Sequence, residues 1–215
     1  VTTGAAIHSN IGKIDAKDAN VNITVNDTAG NVSADNVTAI NALQAATTGT
    51  ITATVDGNAT ELAGLTATGD NATMALTITV DDAVAGAAGV AALNTIAAGT
   101  TGTVTVGAVS GTAAQLEALQ SSGGGNATQA YTIVVDDAAT ALEGKTITEA
   151  TNVGTVDFSA AGINDAFAAV TNGTSVHANM AAVDAKDADV NITVNDTVGN
   201  VSADNVTAIN ALQAA

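Results

Sequence analysis

Aliphatic residues recur at helical spacing in two equivalent stretches of the chain. In Val37–Leu43 and again in Val90–Ile96, every third residue is a large aliphatic one. Spacing of three to four residues places such side chains on one face of an α-helix. Gly49 and Gly99 follow the two stretches, and glycine commonly ends a helix. The pattern therefore predicts two equivalent amphipathic helices.

Threonine and aliphatic residues alternate in the segments that follow. Thr50–Val55 has the period of two that is typical of a half-buried strand, and Leu76–Val80 and its copy Tyr131–Val135 predict further strands. Between these strands, Asn58-x-x-Glu61 and Thr112-x-x-Gln115 have the capping-box pattern, and Thr60–Leu65 is expected to form a short helix or turn. Helix–strand units thus alternate about every 27 residues, a length typical of one turn of a solenoid.

The chain also contains a long internal repeat. Val1–Ala46 aligns without gaps with Val170–Ala215, an offset of 169 residues, and 35 of the 46 positions are identical. Strand endings that carry aspartate recur inside this repeat at spacings of 55, 55 and 59 residues. Such self-similarity is the signature of a repeat architecture.

Three modules therefore make up one long repeat. We divide the chain into 1–30, the end of one long repeat; 31–84, module one; 85–139, module two; 140–199, a diverged module three; and 200–215, the start of the next long repeat. The chain is expected to be a window onto a longer protein.

These elements predict an α/β fold, a tandem-repeat solenoid with a parallel β-sheet and short helices. Crossovers that contain a helix allow neighbouring strands to pair in parallel. Strands stack about 4.8 Å apart, whereas packed helices need about 8–10 Å. Helices on every unit would therefore bend the stack strongly, unless alternate helices are single turns or lie on opposite faces. A string of small β-rich domains is the alternative.

Composition and charge narrow the function classes. The chain has 21 Asp and Glu against 4 Lys and Arg, a net charge of −17, so a nucleic-acid partner is not expected. It has no cysteine, which excludes disulfides and thiolate metal sites. The apolar run Ala83–Ala98 is the best candidate for a membrane span, but a span needs about 20 strongly apolar residues and is not expected.

Catalysis is not expected either. His8 and His177 occupy the same position of the long repeat, and neither has a nucleophile, base or metal-ligand partner nearby in the sequence. Ile7 and Val176 precede them, which favours a partly packed structural role. We interpret the chain as a non-enzyme.

Calcium is the one cofactor that the pattern allows. Aspartates fall at the same strand end in successive modules, and stacked turns can supply carboxylates together with backbone carbonyls to Ca²⁺. No EF-hand loop or glycine-rich calcium nonapeptide is present. Aspartate also favours turns for structural reasons, so both interpretations stay open. The candidate ligands are Asp27, Asp81, Asp82, Asp136, Asp137 and Asp196.

Threonines form a second candidate surface. They lie opposite the aliphatic residues on the predicted strands, where a parallel stack would arrange them as a flat ladder that could hold ice or another surface. The structural alternative is that threonine simply has a high strand propensity. Val134 and Asp157 interrupt the ladder where later strands would continue it. The ladder comprises Thr50, Thr52, Thr54, Thr77, Thr79, Thr103 and Thr105.

Three phrases resemble the repeats of very large bacterial "beta strand repeat-containing" surface proteins, notably those of marine cyanobacteria. They are Thr-Gly-Thr-Ile/Val-Thr, Gly111–Leu119 and Tyr131–Ala138. The resemblance implies a secreted or cell-surface protein, often adhesive or calcium-associated.

We therefore predict a non-catalytic structural repeat of a secreted or cell-surface stalk, filament or surface array. It would give length and an acidic hydrated surface, and its partners would be neighbouring repeats of the same protein in self-assembly. The alternative function is an adhesin or binding module that holds calcium, a glycan or ice on a repeated Thr or Asp face.

Overall fold

A computed structural model describes residues 2–3, 6–7, 13, 17–25, 34–66, 72–120, 127–160, 162–195 and 203–214. The strands are β1 Thr2–Thr3, β2 Ala6–Ile7, β3 Ile23–Thr24, β4 Thr50–Gly57, β5 Thr73–Val80, β6 Val84–Ala85, β7 Thr103–Gly111, β8 Thr128–Val135, β9 Val156–Asp157, β10 Ile163–Asp165, β11 Thr171–Asn172, β12 Ser175–Val176 and β13 Ile192–Val194. The helices are α1 Ala34–Ala46, α2 Ala59–Leu62, α3 Gly86–Ala98, α4 Ala113–Leu116, α5 Ala141–Thr148, α6 Phe167–Val170, α7 Ala178–Asp184 and α8 Ala203–Ala214.

The chain is α/β, built on a seven-stranded sheet with parallel pairing. Its strand order is β3-β4-β5-β7-β8-β9, and β6 pairs with β7. Apart from the two-residue β6, each strand lies beside the next one in the sequence, with Ile51 opposite Met74 and Ile78 opposite Val104. The predicted parallel sheet with helical crossovers is therefore confirmed.

Helices of alternating length connect these strands. α1 and α3 have 13 residues each, whereas α2 and α4 have four. Each of these helices contacts the next one in the sequence, from α1 through to α5. Because single-turn helices separate the long ones, the conflict between strand spacing and helix spacing is relieved.

A continuous apolar core lies between the helices and one face of the sheet. It extends from Ile23 to Val183. The predicted helical stripes are buried in it, and so are alternate residues of the strands, such as Ile51 and Leu76. Tyr131 and Phe158 are its largest side chains.

Several observed element boundaries differ from the predicted ones. The strand predicted over Leu76–Val80 begins at Thr73, and the one predicted over Tyr131–Val135 begins at Thr128, because the alternating burial extends to those residues. The short helix predicted over Thr60–Leu65 spans Ala59–Leu62.

Two smaller sheets lie within residues 163–194, in the part of the chain predicted to be the third module. β10 pairs in parallel with β13, whereas β11 and β12 form an antiparallel hairpin.

Within the described residues, no helix combines the length and apolarity that crossing a bilayer requires. The candidate run 83–98 folds as β6 followed by α3.

Candidate functional site

The threonine ladder lies on the sheet face opposite the buried one. Thr52, Thr54, Thr77, Thr79 and Thr105 are exposed, whereas Thr50 and Thr103 are half-buried. Strand register places Thr54 beside Thr77, and Thr79 beside Thr105. The ladder is not continuous, because Thr52 is paired with Ala75 and Thr105 with Ala130.

The threonine ladder ends between β7 and β8, where the strand register shifts and threonine is replaced by other residues. A two-residue bulge, Gly107–Ala108, interrupts the register of β7 with β8. Beyond the bulge Ser110 lies beside Val134, and Val134 lies beside Asp157. Hydrogen bonds from the Ser159 hydroxyl and backbone N–H lower the pKa of Asp157, so this exposed edge carries a carboxylate.

The strand-end aspartates connect neighbouring helix–strand units. Asp82 Oδ1 accepts a hydrogen bond from Ala59 N at 2.8 Å, and Asp137 Oδ1 accepts one from Ala113 N at 2.6 Å. Ala59 and Ala113 are the first residues of α2 and α4. Each aspartate therefore caps the helix that precedes its own strand.

Asp165 makes the same contact with α5, although the sequence analysis did not select it. Its Oδ2 accepts a hydrogen bond from Ala141 N at 3.0 Å. Asp81 and Asp136 are exposed. Asp27 and Asp196 lie outside the described residues.

The described aspartates do not converge on one point. Asp82 follows β5 and Asp137 follows β8, with β7 between them. Two strand spacings of about 4.8 Å separate these positions by about 10 Å, whereas two ligands of one Ca²⁺ lie within about 5 Å of each other. Among the described residues, no group of three or more His, Asp and Glu side chains could hold a metal ion. Calcium binding at these aspartates stays a prediction.

Buried threonines form a second set of contacts between units, which the sequence analysis missed. Thr100 Oγ1 lies 2.8 Å from Leu76 O and 3.0 Å from Met74 O, and it accepts hydrogen bonds from Leu76 N and Gly102 N. Thr47 and Thr151 contact the preceding unit in the same way. One buried hydroxyl thus ties each of these turns to the strand before it.

A glycine follows each of these threonines. A Cβ on Gly49, Gly102 or Gly154 would overlap the carbonyl oxygen of Val21, Leu76 or Tyr131, respectively. Only glycine permits backbones to approach so closely. The recurrence of Thr-Thr-Gly-Thr at 47–50 and 100–103 was the signal that could have identified this turn.

The long helices hold the next unit through asparagine side chains. Asn41 Nδ2 donates to Gly64 O at 2.8 Å and its Oδ1 accepts from Thr66 N at 3.0 Å. Asn94 makes the equivalent pair of bonds to the unit that follows α3. Backbone groups just beyond α2 and α4 are therefore satisfied by a side chain from the preceding helix.

His177 has a local structural contact. Its Nδ1 accepts a hydrogen bond from Asn179 N at 3.2 Å, which caps α7. The copy of this residue, His8, lies outside the described residues. Lys186 Nζ donates to the carbonyl oxygens of Thr151, Asn152 and Gly154 and so holds the turn after α5.

Comparisons of this chain with protein-family models, with curated proteins and with solved structures found no match.

Proposed function

We propose that this chain is a non-catalytic structural repeat of a secreted or cell-surface stalk, filament or surface array. Its units would stack as a solenoid, so that further repeats add length and acidic surface. One observation carries this proposal: equivalent residues in successive units make equivalent contacts to the unit before them. Thr47, Thr100 and Thr151 are the clearest case.

Two features favour stacked units over a string of small domains. One apolar core extends from Ile23 to Val183, whereas separate domains would each enclose a core of their own. The described threonine contacts also join each unit to the unit directly before it in the sequence. This is the arrangement of a stack in which each unit touches only its neighbours.

Surface location and the resemblance to bacterial beta strand repeat proteins belong to the same proposal. A net charge of −17 favours solubility, because like charges repel one another and oppose non-specific aggregation. The exposed threonines of β4, β5 and β7 and the exposed aspartates after β5 and β8 would recur with each further long repeat. The proposed partners are neighbouring repeats of the same protein.

Particle length tests the stacking. One 169-residue repeat adds six strand spacings of about 4.8 Å, so a chain extended by one repeat should be longer by roughly 30 Å with an unchanged cross-section. Small-angle X-ray scattering of the two chains measures this difference. A larger, flexible extension would show separate domains and contradict the proposal.

Antibody labelling tests the location. Electron microscopy of source cells should show label along fibres or in a surface coat, because the proposal places the repeat outside the cell. Label confined to the cytoplasm would contradict it.

A second candidate function is an adhesin that binds a surface, a glycan or ice through its threonine face. The observation that favours it is the exposure of five ladder threonines on the sheet face that the helices leave open. The double variant Thr52→Asp with Thr79→Asp would abolish binding and leave the fold intact, because both side chains are exposed. Equal retention of the wild-type chain and the variant on the tested surface would contradict this function.

A further inference from the structure

Two identical helices have different surroundings in this chain. Residues 34–46 and 203–215 have the same sequence, and the helices α1 (Ala34–Ala46) and α8 (Ala203–Ala214) lie within these segments. α1 contacts β2, and α8 contacts the equivalent strand β12. Their comparison therefore isolates the effect of the unit that follows α1 and is not present beside α8.

The apolar stripe of α1 is buried, but that of α8 is open. Val37 and Ile40 are 4% and 9% exposed, whereas their copies Val206 and Ile209 are 49% and 47% exposed. Val206 and Ile209 are two of four large apolar side chains that are exposed among the described residues. The same apolar surface is therefore covered in one copy and open in the other, and open apolar patches commonly serve as interaction surfaces.

Residues 47–66 form the unit that covers α1, and their contacts with the preceding unit are described. Thr47 Oγ1 donates to Val21 O at 2.7 Å, Thr50 N donates to Asn22 Oδ1 at 2.8 Å, and β4 pairs with β3. At its far end Thr66 contacts Asn41 and Gln44 on the helix. Residues 47–66 thus cover one continuous surface of the preceding unit.

The copy of that surface forms a groove beside β13, in the two-stranded sheet of β10 and β13. It has a volume of about 410 Å³, and we name it the terminal groove. Four of its lining residues are copies of residues that residues 47–66 contact in the first repeat: Val190, Asn191, Ile192 and Gln213. A fifth, Ile209, is the copy of the buried Ile40.

We propose that the terminal groove is a docking surface for one further helix–strand unit with the sequence of residues 47–66. The incoming strand would pair in parallel with β13 as β4 pairs with β3, and its short helix would cover Val206 and Ile209. The inference rests on the proposed stacking of units, but not on the proposed location at the cell surface.

The complete absence of cysteine permits a direct test. Ile209→Cys places a single thiol in the terminal groove, and Ile40→Cys places one at the equivalent buried position of α1. Each variant is prepared in the 215-residue chain and in a chain that continues after Ala215 with a second copy of residues 47–66. The rate of thiol modification by a maleimide reports the exposure of each position.

In the 215-residue chain, the thiol at position 209 should react at least about tenfold faster than the thiol at position 40, because a buried group reacts only after local opening. The added unit should slow the reaction at position 209 to a similar rate as at position 40 and leave position 40 unchanged. Amide hydrogen exchange over β13 should slow as well, because its backbone would gain a paired strand.

A matched control uses the close approach of Gly49 to Val21 O. Valine in place of this glycine in the added copy would keep the unit from seating against Val190 and restore fast modification at position 209. A thiol at position 209 that reacts equally fast with and without the added unit, while position 40 stays protected, would overturn the proposal. So would equal protection by a scrambled 20-residue extension.

These outcomes are separate from those of the proposed function. Failure of the unit to dock would remove the terminal groove as an assembly surface, whatever the antibody label shows. Docking together with cytoplasmic label would support the groove and contradict the surface function.

Discussion

At the residue scale, the threonines of this protein have two different roles. Thr100 is fully buried, and its hydroxyl contacts four backbone groups of β5 and of the turn. Thr105 is exposed on the open face of the same unit. The same residue type therefore holds the units together at one position and forms surface at another.

Valine in place of threonine distinguishes these roles. Thr100→Val removes a hydroxyl from a buried site and leaves backbone groups without their partner, so the free energy of unfolding should fall by about 1–3 kcal/mol. Thr105→Val is the same chemical change at an exposed position and should alter it by less than about 0.5 kcal/mol. Urea denaturation of both variants measures the difference, and equal effects would contradict the buried role.

Tyr131 is the only tyrosine, and the chain has no tryptophan. Burial raises the pKa of Tyr131 well above its ordinary value, and the neighbouring Gln129 side chain offsets only part of that rise. Within the described residues its hydroxyl has no hydrogen-bond partner of good geometry. The folded state thus strongly prefers the neutral phenol.

This preference predicts loss of stability in alkaline solution. Tyrosine in the unfolded chain ionises near pH 10, so the contribution of Tyr131 is fully present below about pH 10 and declines by about 1.4 kcal/mol per pH unit above it. Absorbance at 295 nm should rise only as far-UV circular dichroism is lost, and Tyr131→Phe should remove this part of the pH dependence. Ionisation near pH 10 with the fold intact would contradict the burial of the phenol.

At the element scale, the short helices depend on neighbouring units. α4 has only four residues, and isolated helices of this length are not stable in water. Thr112 and Gln115 form a capping box at its start, and Asp137 contributes a hydrogen bond from the end of β8. Its stability therefore comes from caps and packing more than from its own hydrogen bonds.

Asp137→Ala should reduce the free energy of unfolding by about 1–2 kcal/mol, the usual effect of removing a helix cap. Asp137→Asn retains an oxygen acceptor and should recover most of that loss. Asp136→Ala is the matched control, because this neighbouring aspartate is exposed as Asp137 is, whereas the bond to Ala113 N is made by Asp137. Equal loss in the Asp136 and Asp137 variants, measured by urea denaturation, would argue against the cap.

The secondary structure was largely predictable at this scale. The stripes Val37–Leu43 and Val90–Ile96 indicated both long helices, because the helical period of 3.6 residues can be recognised from residue order alone. The contacts of Asp82, Asp137 and Asp165 were not predictable, since each joins residues more than twenty positions apart in the sequence. The recurrence of Asp82 and Asp137 indicated a shared role, but it did not show which backbone N–H each carboxylate would bind.

At the scale of the whole molecule, negative charge is the dominant surface property. The net charge is −17, and Lys145–Glu149 is the one salt bridge among the described residues. Repulsion between so many carboxylates destabilises the compact state. Dissolved cations should relieve it.

Sodium chloride should therefore raise the melting temperature, because salt screens exposed charges. Calcium chloride of equal ionic strength should raise it by a similar amount if the strand-end aspartates serve as caps, and a chelator should then have no effect. Circular dichroism melting in the two salts makes the comparison. Stabilisation by micromolar calcium, reversed by the chelator, would instead establish the calcium site predicted from the sequence.

The sequence by itself determined the period, the type of each long element and the charge of this protein, because these depend on residue order and local preference alone. Tertiary structure decided which sheet face the helices cover and which threonines are buried. It also decided that identical helices differ in exposure, as Ile40 and Ile209 do. Burial is a property of the neighbour as much as of the residue, and the same 13 residues cannot encode whether another unit lies beside them.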